Sequence, residues 1–166
     1  MENKVVFLCG LPGSGKSTWG RNHFEGNTKW ILASTDFYIE EKAKKAGKTY
    51  NEMFQSTIKS AEENLEQALK TAINHGFDVL YDQTNITKKG RLKKLGKFPA
   101  DYKKICVVFT TSEEILDRVN EERKTIGRAI PDEIFKSMKQ SFQMPSKDEG
   151  WDEIIIVERN DDTVQN

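Results

Sequence analysis

Short apolar runs alternate with longer amphipathic stretches along the chain. Five runs predict buried strands, at residues 5–9, 30–33, 78–81, 105–109 and 154–157. Strands separated by segments of helical length are typical of a parallel sheet with helices on both faces. The pattern therefore predicts a three-layer α/β fold with a five-stranded parallel sheet, formed by a single domain over residues 1–166.

Helix boundaries are indicated by local signals between these runs. Apolar side chains at three- and four-residue spacing predict the longest helix over residues 54–72, with Gly76 as its stop. Thr111 and Glu114 predict a capping box before the next helix, and Pro131 predicts the first residue of another. Helices therefore fill the gaps between strands.

A glycine-rich segment follows the first apolar run directly. Residues 10–17 read GLPGSGKS, the G-x-x-x-x-G-K-S pattern of a phosphate loop. The glycines leave room for backbone amides around phosphate oxygens, Lys16 provides charge for the β- and γ-phosphates, and the Ser17 hydroxyl can ligate Mg²⁺. The alternative is a plain strand-to-helix turn. For loop 10–18 we predict nucleotide contacts from Gly10, Gly13, Ser14, Gly15, Lys16, Ser17 and Thr18.

Composition indicates the cellular compartment but not the class of binding partner. The 26 basic and 26 acidic residues balance, so the net charge predicts no partner. Cys9 and Cys106 both lie in apolar runs, which is typical of buried thiols in a reducing compartment. No apolar run has the length of a signal peptide core or a membrane span. We expect a cytoplasmic protein with no membrane association and no structural metal.

Polar residues follow the second and third apolar runs, where ligands bind in sheets of this kind. Asp36 is a candidate base for orienting an acceptor hydroxyl, or else a turn cap. Asp82 is a candidate for holding Mg²⁺ or fixing the Ser17 hydroxyl. The next residues offer hydrogen bonds to an acceptor, or else form an ordinary turn. The predicted acceptor contacts are Gln83, Thr84 and Asn85, within an acceptor-side region that includes segment 34–75.

Residues 120–131 predict a lid. Arg123 and Arg128 flank Gly127 in this stretch, and arginines that close over a triphosphate neutralise charge on the transferring group. The alternative places Arg123 at a helix C-terminus simply because the helix dipole favours a cation there. We predict Lys16, Asp36, Arg123 and Arg128 as the catalytic side chains.

The segment 87–104 is strongly basic, with Asp101 as its single acid. Leu92, Leu95 and Phe98 are predicted to anchor it while its cations face solvent. Such a strip can hold a polyanionic acceptor in a salt-dependent way, or it can be an ordinary solvated helix face. The cations are Lys88, Lys89, Arg91, Lys93, Lys94, Lys97, Lys103 and Lys104.

Four blocks in order resemble the 5′-hydroxyl polynucleotide kinase family, the kinase modules of phage and metazoan end-healing enzymes. They are GLPGSGKSTW at the phosphate loop, Thr35-Asp36, DQTN at 82–85, and the long block NEERKTIGRAIPDEIFKSMKQSFQMPSKDEGWDEI at 120–154. The match spans nearly the whole chain, although residues 37–80 carry no motif that aligns. The last block is the most specific, since the phosphate loop is shared by many nucleotide enzymes.

The resemblance implies transfer of the γ-phosphate of ATP or GTP, with Mg²⁺, to the 5′-hydroxyl end of DNA or RNA. It implies that Asp36 is the base and that Arg123, with Arg128, acts from the lid. The alternatives are a kinase for a nucleoside, sugar or antibiotic hydroxyl on the same scaffold, and a nucleotide-binding switch without transfer activity.

Two departures from this family affect the acceptor. Phage members carry an arginine three residues after the base, where this chain has Ile39, so another cation such as Arg91 or Lys42 is expected to hold the acceptor phosphate. No D-x-D-G-T phosphatase signature or K-x-D-G ligase signature occurs. We therefore expect a kinase module with a functional link to a separate phosphatase or ligase.

Overall fold

The computed structural model describes residues 2–26 and 29–159. Its five strands form one parallel sheet in the order β2-β3-β1-β4-β5. The strands are β1 Lys4–Cys9, β2 Trp30–Ala33, β3 Asp78–Asp82, β4 Lys103–Thr111 and β5 Glu153–Arg159. The helices are α1 Lys16–Phe24, α2 Thr35–Ala46, α3 Tyr50–His75, α4 Lys88–Leu95, α5 Glu113–Arg123 and α6 Asp132–Ser141, with short 3₁₀ helices at Lys124–Ile126 and Lys147–Glu149.

The central strands are apolar on both faces because helices cover both sides of the sheet. In β1, Val5 to Cys9 are all buried. Phe7 faces one layer, where its ring packs against Tyr81 and Trp151 at centroid distances of 4.9 and 5.0 Å. Leu8 faces the other layer. The predicted three-layer α/β fold is confirmed, with each strand within two residues of its predicted ends.

Helix α3 confirms the longest predicted helix and its Gly76 stop, which has a left-handed φ of 70°. It begins earlier than predicted, at Tyr50, because Thr49 and Glu52 form a capping box. The box predicted at Thr111 and Glu114 is wrong. Thr111 ends β4, and Ser112 caps α5 instead by accepting a hydrogen bond from the Ile115 amide at 3.3 Å. Pro131 lies one position before α6 rather than at its first residue.

The strand order brings three connecting segments to one edge of the sheet. β3 lies between β2 and β1, so the segments that follow these strands are neighbours. The amide of Gly10, after β1, donates to the carbonyl of Thr84, after β3, at 2.9 Å. Within residues 2–26 and 29–159, no helix combines the length and apolar character needed to cross a membrane.

Candidate active site

The phosphate loop requires glycine at two positions. Gly13 and Gly15 have φ of 89° and 98°, a left-handed conformation that other residues rarely adopt. A Cβ at Gly13 would also lie 3.1 Å from Cγ1 of Val119 in α5. Because α1 begins at Lys16, the free amides of its first turn and the helix dipole favour an anion at the loop.

Side chains around the loop match a bound triphosphate. Lys16 Nζ donates to the Leu11 carbonyl at 3.1 Å, which holds the amine against the loop. Burial lowers the pKa of Lys16, while the charges of Asp82 and Asp36 act in the opposite direction. Among the residues that the structure describes, the buried Thr18 Oγ1 has no hydrogen-bond partner. A phosphate oxygen would supply the missing acceptor.

The side-chain oxygens of Ser17 and Asp82 lie together beside Lys16. The Ser17 hydroxyl donates to Asp82 Oδ2 at 3.4 Å. Burial raises the pKa of Asp82, and the charge of Lys16 opposes that rise. Within the described parts of the chain, no cluster of three His, Cys, Asp or Glu side chains forms an all-protein metal site. A hydroxyl and one carboxylate suit Mg²⁺, which binds few protein ligands and completes its shell with phosphates and water.

Asp36 lies in the first turn of α2, where the local sequence fixes the helix start. Ser34 caps the helix by accepting from the Phe37 amide at 3.1 Å. The amide and hydroxyl of Thr35 both donate to Gln83 Oε1, at 3.2 and 3.0 Å. Gln83 therefore ties the start of α2 to the segment after β3. The side chain of Asp36 remains half exposed, and it is not the N-cap.

The lid presents Arg128 to three partners. Its Nη2 lies 3.2 Å from Asp36 Oδ2, and its Nε lies 3.3 Å from Glu40 Oε1. The guanidinium carbon lies 3.8 Å from the centroid of the Tyr50 ring. Burial lowers the pKa of Arg128, but the neighbouring Asp36, Tyr50 and Glu40 outweigh this effect and raise it. The lid is therefore closed over α2 and α3.

Hydrogen bonds to the lid backbone hold it in this position. The side-chain amide of Asn120 donates to the Ile130 carbonyl at 2.9 Å and accepts from the Ile130 backbone amide at 2.8 Å. The backbone amide of Asn51, in α3, donates to the Gly127 carbonyl at 3.0 Å, and its side chain donates to the Ala129 carbonyl at 3.1 Å. The first pair closes the base of the lid, and the second docks its tip on α3.

The predicted catalytic groups line one chamber of about 350 Å³. Lys16, Asp36, Arg123 and Arg128 all reach it, together with Ser17 and Asp82. Burial and the charge of Arg128 lower the pKa of Arg123. Gln83 and Thr84 also face the chamber. Thr35 and the loop residues Pro12, Gly13 and Gly15 line it as well. The wall that comes from α3, the lid and α6 adds Tyr50, Phe54, Ile58, Glu62, Ile130, Ile134 and Met138.

The wall residues from α3 had no predicted site role, because residues 37–80 carry no motif that aligns. Ile130, Ile134 and Met138 lie in the fourth block of the resemblance, but no contact with the chamber was predicted for them. One signal was present: Tyr50 and Phe54 are aromatic residues four positions apart, on one face at the start of α3. Their rings lie 5.9 Å apart.

A second cavity of about 390 Å³ adjoins the chamber. It shares Ser17, Asp36 and Asp82 with the chamber, so Asp36 stands in the wall between them. The other walls lie at the β2 edge of the sheet and include Phe24, Trp30, Leu32, Phe37 and Leu80. This cavity presents aromatic surface beside the candidate base.

Two predicted acceptor contacts are wrong. Arg91 is fully buried, with Nε and Nη2 on the two carboxylate oxygens of Glu149 at 2.8 and 3.0 Å. It therefore cannot hold an acceptor phosphate. Asn85 is also buried, and its side chain donates to the Leu8 carbonyl at 2.8 Å and accepts from Lys94 at 2.6 Å. Asn85 stabilises its own turn, where its φ is 49°.

The basic segment is only partly a solvated face. Leu95 and Phe98 are buried as predicted, but Leu92 is exposed, and Arg91 and Lys94 turn inward. The alternative cation Lys42 is exposed and lies 5.4 Å from the centroid of the Tyr38 ring. Ile39, which replaces the arginine of phage members, is completely buried.

Comparison with known proteins identifies curated relatives, two of them at 25% and 27% identity. The mouse heterogeneous nuclear ribonucleoprotein U-like protein 2 is 25% identical over 171 residues, covering 99% of this chain and 23% of the relative. L-seryl-tRNA(Sec) kinase of Methanococcus maripaludis is 27% identical over 154 residues, covering 89% of this chain and 56% of that kinase. The chain thus spans under a quarter of the first relative and about half of the second.

Solved structures share the fold at low identity. A Chloroflexus aurantiacus protein described as a kinase superposes with a TM-score of 0.69 at 17% identity, covering 95% of this chain and 86% of that chain. A fungal RNA kinase gives 0.59 at 19% identity, with 99% and 79% covered. A sugar kinase from Janibacter sp. gives 0.63 at 15% identity, with 94% and 85% covered.

These neighbours confirm a P-loop kinase fold of the type shared by polynucleotide kinases, sugar kinases and a tRNA kinase. The family model described as an AAA domain, AAA_33, matches residues 5–145. The chain therefore belongs to the AAA_33 family of P-loop kinases, whose members bind a nucleotide at the phosphate loop.

Proposed function

We propose that this protein transfers the γ-phosphate of a nucleoside triphosphate, ATP or GTP, to the 5′-hydroxyl end of a polynucleotide. The observation that carries the transfer reaction is the chamber in which Lys16, Arg123 and Arg128 face the carboxylate of Asp36. A nucleotide-binding switch has no need of a carboxylate on the acceptor side. The arrangement therefore favours a phosphotransferase over a sensor.

Each side chain has one role in this mechanism. Asp36 orients the acceptor hydroxyl and takes its proton as that oxygen bonds to the γ-phosphorus. The bond from the γ-phosphorus to the bridging oxygen breaks, and the nucleoside diphosphate leaves. Lys16 and the lid arginines neutralise charge on the transferring group, and Ser14 and the glycines shape the loop. Catalysis rests on positioning and electrostatics.

Mg²⁺ fits the oxygen ligands of Ser17 and Asp82. When bound there it would neutralise phosphate charge, which is the chemistry that kinases of this fold need from a divalent ion. The 3.4 Å contact between the two side chains shows that they already face one another. Burial raises the pKa of the Asp82 carboxyl, and the positive charge of Lys16 partly offsets that rise.

The cavity beside Asp36 supports a polynucleotide acceptor. Phe24, Trp30 and Phe37 offer ring surface on which nucleobases stack without sequence preference. One similar structure is named as a fungal RNA kinase, and one relative is named as an L-seryl-tRNA(Sec) kinase. With its nucleobase in this cavity, the acceptor would bring its 5′-hydroxyl to Asp36 at the border of the chamber that holds the donor.

A second candidate is a kinase for a small alcohol. The chamber wall that comes from α3, Ile130 and α6 is apolar apart from Tyr50 and Glu62. Among the residues the structure describes, the chamber presents no cation besides those assigned to the donor. Position 39 is buried, and Arg91 is held by Glu149. One similar structure is named as a sugar kinase. These facts favour a neutral acceptor of limited size.

Phosphate transfer from γ-labelled ATP to a panel of acceptors tests this proposal. The panel contains 5′-hydroxyl DNA, 5′-hydroxyl RNA, mononucleosides and simple sugars. Label in oligonucleotides alone, with a KM that rises steeply with salt, supports the polynucleotide acceptor. Label in small alcohols alone, with a salt-independent KM, establishes the second candidate. Absence of transfer to every acceptor, with intact nucleotide binding, contradicts a phosphotransferase.

The link to a separate phosphatase or ligase remains a proposal. It predicts that 5′-phosphate ends made by this protein are substrates for a ligase added in the same reaction. A 3′-phosphate on the partner strand would block that joining until a phosphatase removes it.

A further inference from the structure

Tyr50 contacts both the candidate base and the lid arginine. Its hydroxyl donates to Asp36 Oδ1 at 2.6 Å. Its ring packs against the guanidinium of Arg128, whose carbon lies 3.8 Å from the ring centroid. No sequence motif singles out Tyr50, and the mechanism above gives it no role. One side chain therefore joins the two groups that must meet across the chamber.

The two carboxylate oxygens of Asp36 have different partners. Oδ1 accepts from Tyr50, and Oδ2 faces Arg128 at 3.2 Å. A carboxylate that is half exposed rotates freely unless one oxygen is held. With Oδ1 fixed by a short bond to a neutral donor, Oδ2, on the side of Arg128, is the oxygen left to take the proton of the acceptor hydroxyl. Because the carboxylate of Asp36 is already oriented, its reacting oxygen loses less orientational freedom when the transition state forms.

Tyr50 is suited to this role because it remains protonated. Burial raises its pKa above the ordinary value, and the charge of Asp36 and their hydrogen bond raise it further. The phenol therefore donates across the working pH range of a kinase. The position of the residue is also fixed, because Tyr50 is the first residue of α3 and Thr49 caps that helix with Glu52.

We propose that Tyr50 is a positioning residue for phosphoryl transfer, whose hydroxyl orients Asp36 and whose ring supports Arg128. The proposal rests on the proposed function, since it assumes that Asp36 acts on the acceptor hydroxyl. It does not depend on whether the acceptor is a polynucleotide or a small alcohol.

The test is a double-mutant cycle between Tyr50 and Asp36. Tyr50→Phe removes the hydroxyl and keeps the ring, so we expect kcat to fall by about tenfold with little change in the KM for ATP. In the Asp36→Asn background the same substitution should change kcat by less than about twofold, because its effect passes through the carboxylate. Tyr38→Phe is the matched control, since Tyr38 lies on α2 outside the chamber lining and its ring contact with Lys42 is retained.

Tyr50→Leu tests the role of the ring. It removes both contacts, so we expect a larger loss of kcat than for Tyr50→Phe, because Arg128 also loses its support. Equal activity of the two variants would overturn the part of the proposal that concerns Arg128. Thermal unfolding of each variant separates loss of activity from loss of fold.

The outcomes separate this inference from the proposed function. If Asp36→Asn keeps wild-type turnover, the proposed function is wrong. If Asp36→Asn loses turnover while Tyr50→Phe keeps it, the proposed function stands and the positioning role is wrong. An equal effect of Tyr50→Phe in the two backgrounds would also overturn the positioning role, since that result indicates packing alone.

Discussion

Arg128 of the lid and Asp36 of α2 form an ion pair, with Nη2 and Oδ2 3.2 Å apart. The carboxylate is half exposed, whereas the arginine side chain is only 17% exposed. Ion pairs in contact with water contribute about 1 kcal/mol or less, so this one can open and re-form readily. A triphosphate in the chamber would compete with Asp36 for the same guanidinium.

Lys16 is predicted to be essential for donor binding and transfer. Lys16→Ala removes the amine that the loop holds against the Leu11 carbonyl. We expect no measurable transfer and weaker nucleotide binding, measured by calorimetry with a non-hydrolysable analogue. Lys44→Ala is the control, because Lys44 is exposed and pairs with Glu41 on the same helix. Wild-type turnover in Lys16→Ala would show that the donor site lies elsewhere.

The two lid arginines are expected to differ in their kinetic effects. Arg123→Ala should lower kcat by about 10³-fold, because an arginine on the transferring group acts mainly in the transition state. Arg128→Ala should lower kcat and also change the KM for the acceptor, since Arg128 contacts Asp36, Glu40 and Tyr50. Steady-state kinetics on both substrates measures the split. A change only in the acceptor KM for Arg123→Ala would remove Arg123 from the lid role.

The buried pair of Arg91 and Glu149 is predicted to be a stability element. Glu149→Gln leaves a fully buried guanidinium without its charge partner, which costs about 3–5 kcal/mol of unfolding free energy. Urea denaturation measures this cost. Asp148→Asn is the control, because the Lys88–Asp148 pair is exposed. The double variant Arg91→Met, Glu149→Leu should recover most of the loss, and failure to do so would indicate that shape rather than charge is limiting.

Acid should act through the same pair. Burial raises the pKa of Glu149, but hydrogen bonds from Arg91 and Trp151 outweigh it, so the pKa lies below its ordinary value of 4.5. The folded protein therefore binds fewer protons here than the unfolded chain. The stabilisation is fully present above the ordinary pKa and is lost as pH falls through the lowered value. Urea midpoints from pH 7 to pH 3 should fall less steeply in the double variant.

The buried amine of Lys94 predicts that the stability of the fold depends on pH in the alkaline range. Burial, with the nearby charge of Lys97, lowers its pKa to about 8. Between that value and the ordinary 10.5 the unfolded chain binds more protons, so this residue makes stability rise with pH over that window. The comparison of wild type with Lys94→Met isolates the effect from tyrosine titration. A difference between the two proteins that is independent of pH would contradict the shift.

Gly127 is predicted to be needed for docking of the lid. Its φ is 64°, and a Cβ would lie 2.5 Å from the Cβ of Thr49. Gly127→Ala should therefore separate the lid from α3 and lower kcat. Gly26→Ala is the matched control, because Gly26 has φ of 77° and, apart from its chain neighbours, no atom of the described residues lies within 4 Å of an added Cβ. Equal activity of the two variants would show that docking is not required.

The sequence predicted the elements that depend on local pattern. The strands, the α3 periodicity and the Gly76 stop follow from side-chain spacing and from the freedom of glycine, and the structure confirms them. The placement of Lys16 and Asp36 at one edge follows from the rule for parallel sheets. The lid arginines follow no strand directly, and they reach the chamber because the lid contacts α2 and α3. Their catalytic roles stay predictions.

The sequence did not predict the side-chain contacts between residues that are far apart in the chain. Arg91 lies in a basic segment whose composition is typical of a solvated helix face. In the structure, however, its charge is paired with that of Glu149, from a distant segment of the chain. In the sequence Asn85 resembles an ordinary turn residue, but in the structure its side-chain amide donates a hydrogen bond to a carbonyl near the end of β1. Tyr50 carries no motif, because its importance arises only where α2, α3 and the lid meet.

The amide side chain of Asn120 binds both backbone groups of Ile130 in the way that a neighbouring strand would. The intervening segment is thereby cyclised without a covalent link, and much of its conformational entropy is lost when the protein folds. Little of that entropy remains to be lost when a nucleotide arrives, so tighter binding is the expected benefit. Asn120 thus connects the folding free energy of the domain with its affinity for ligand.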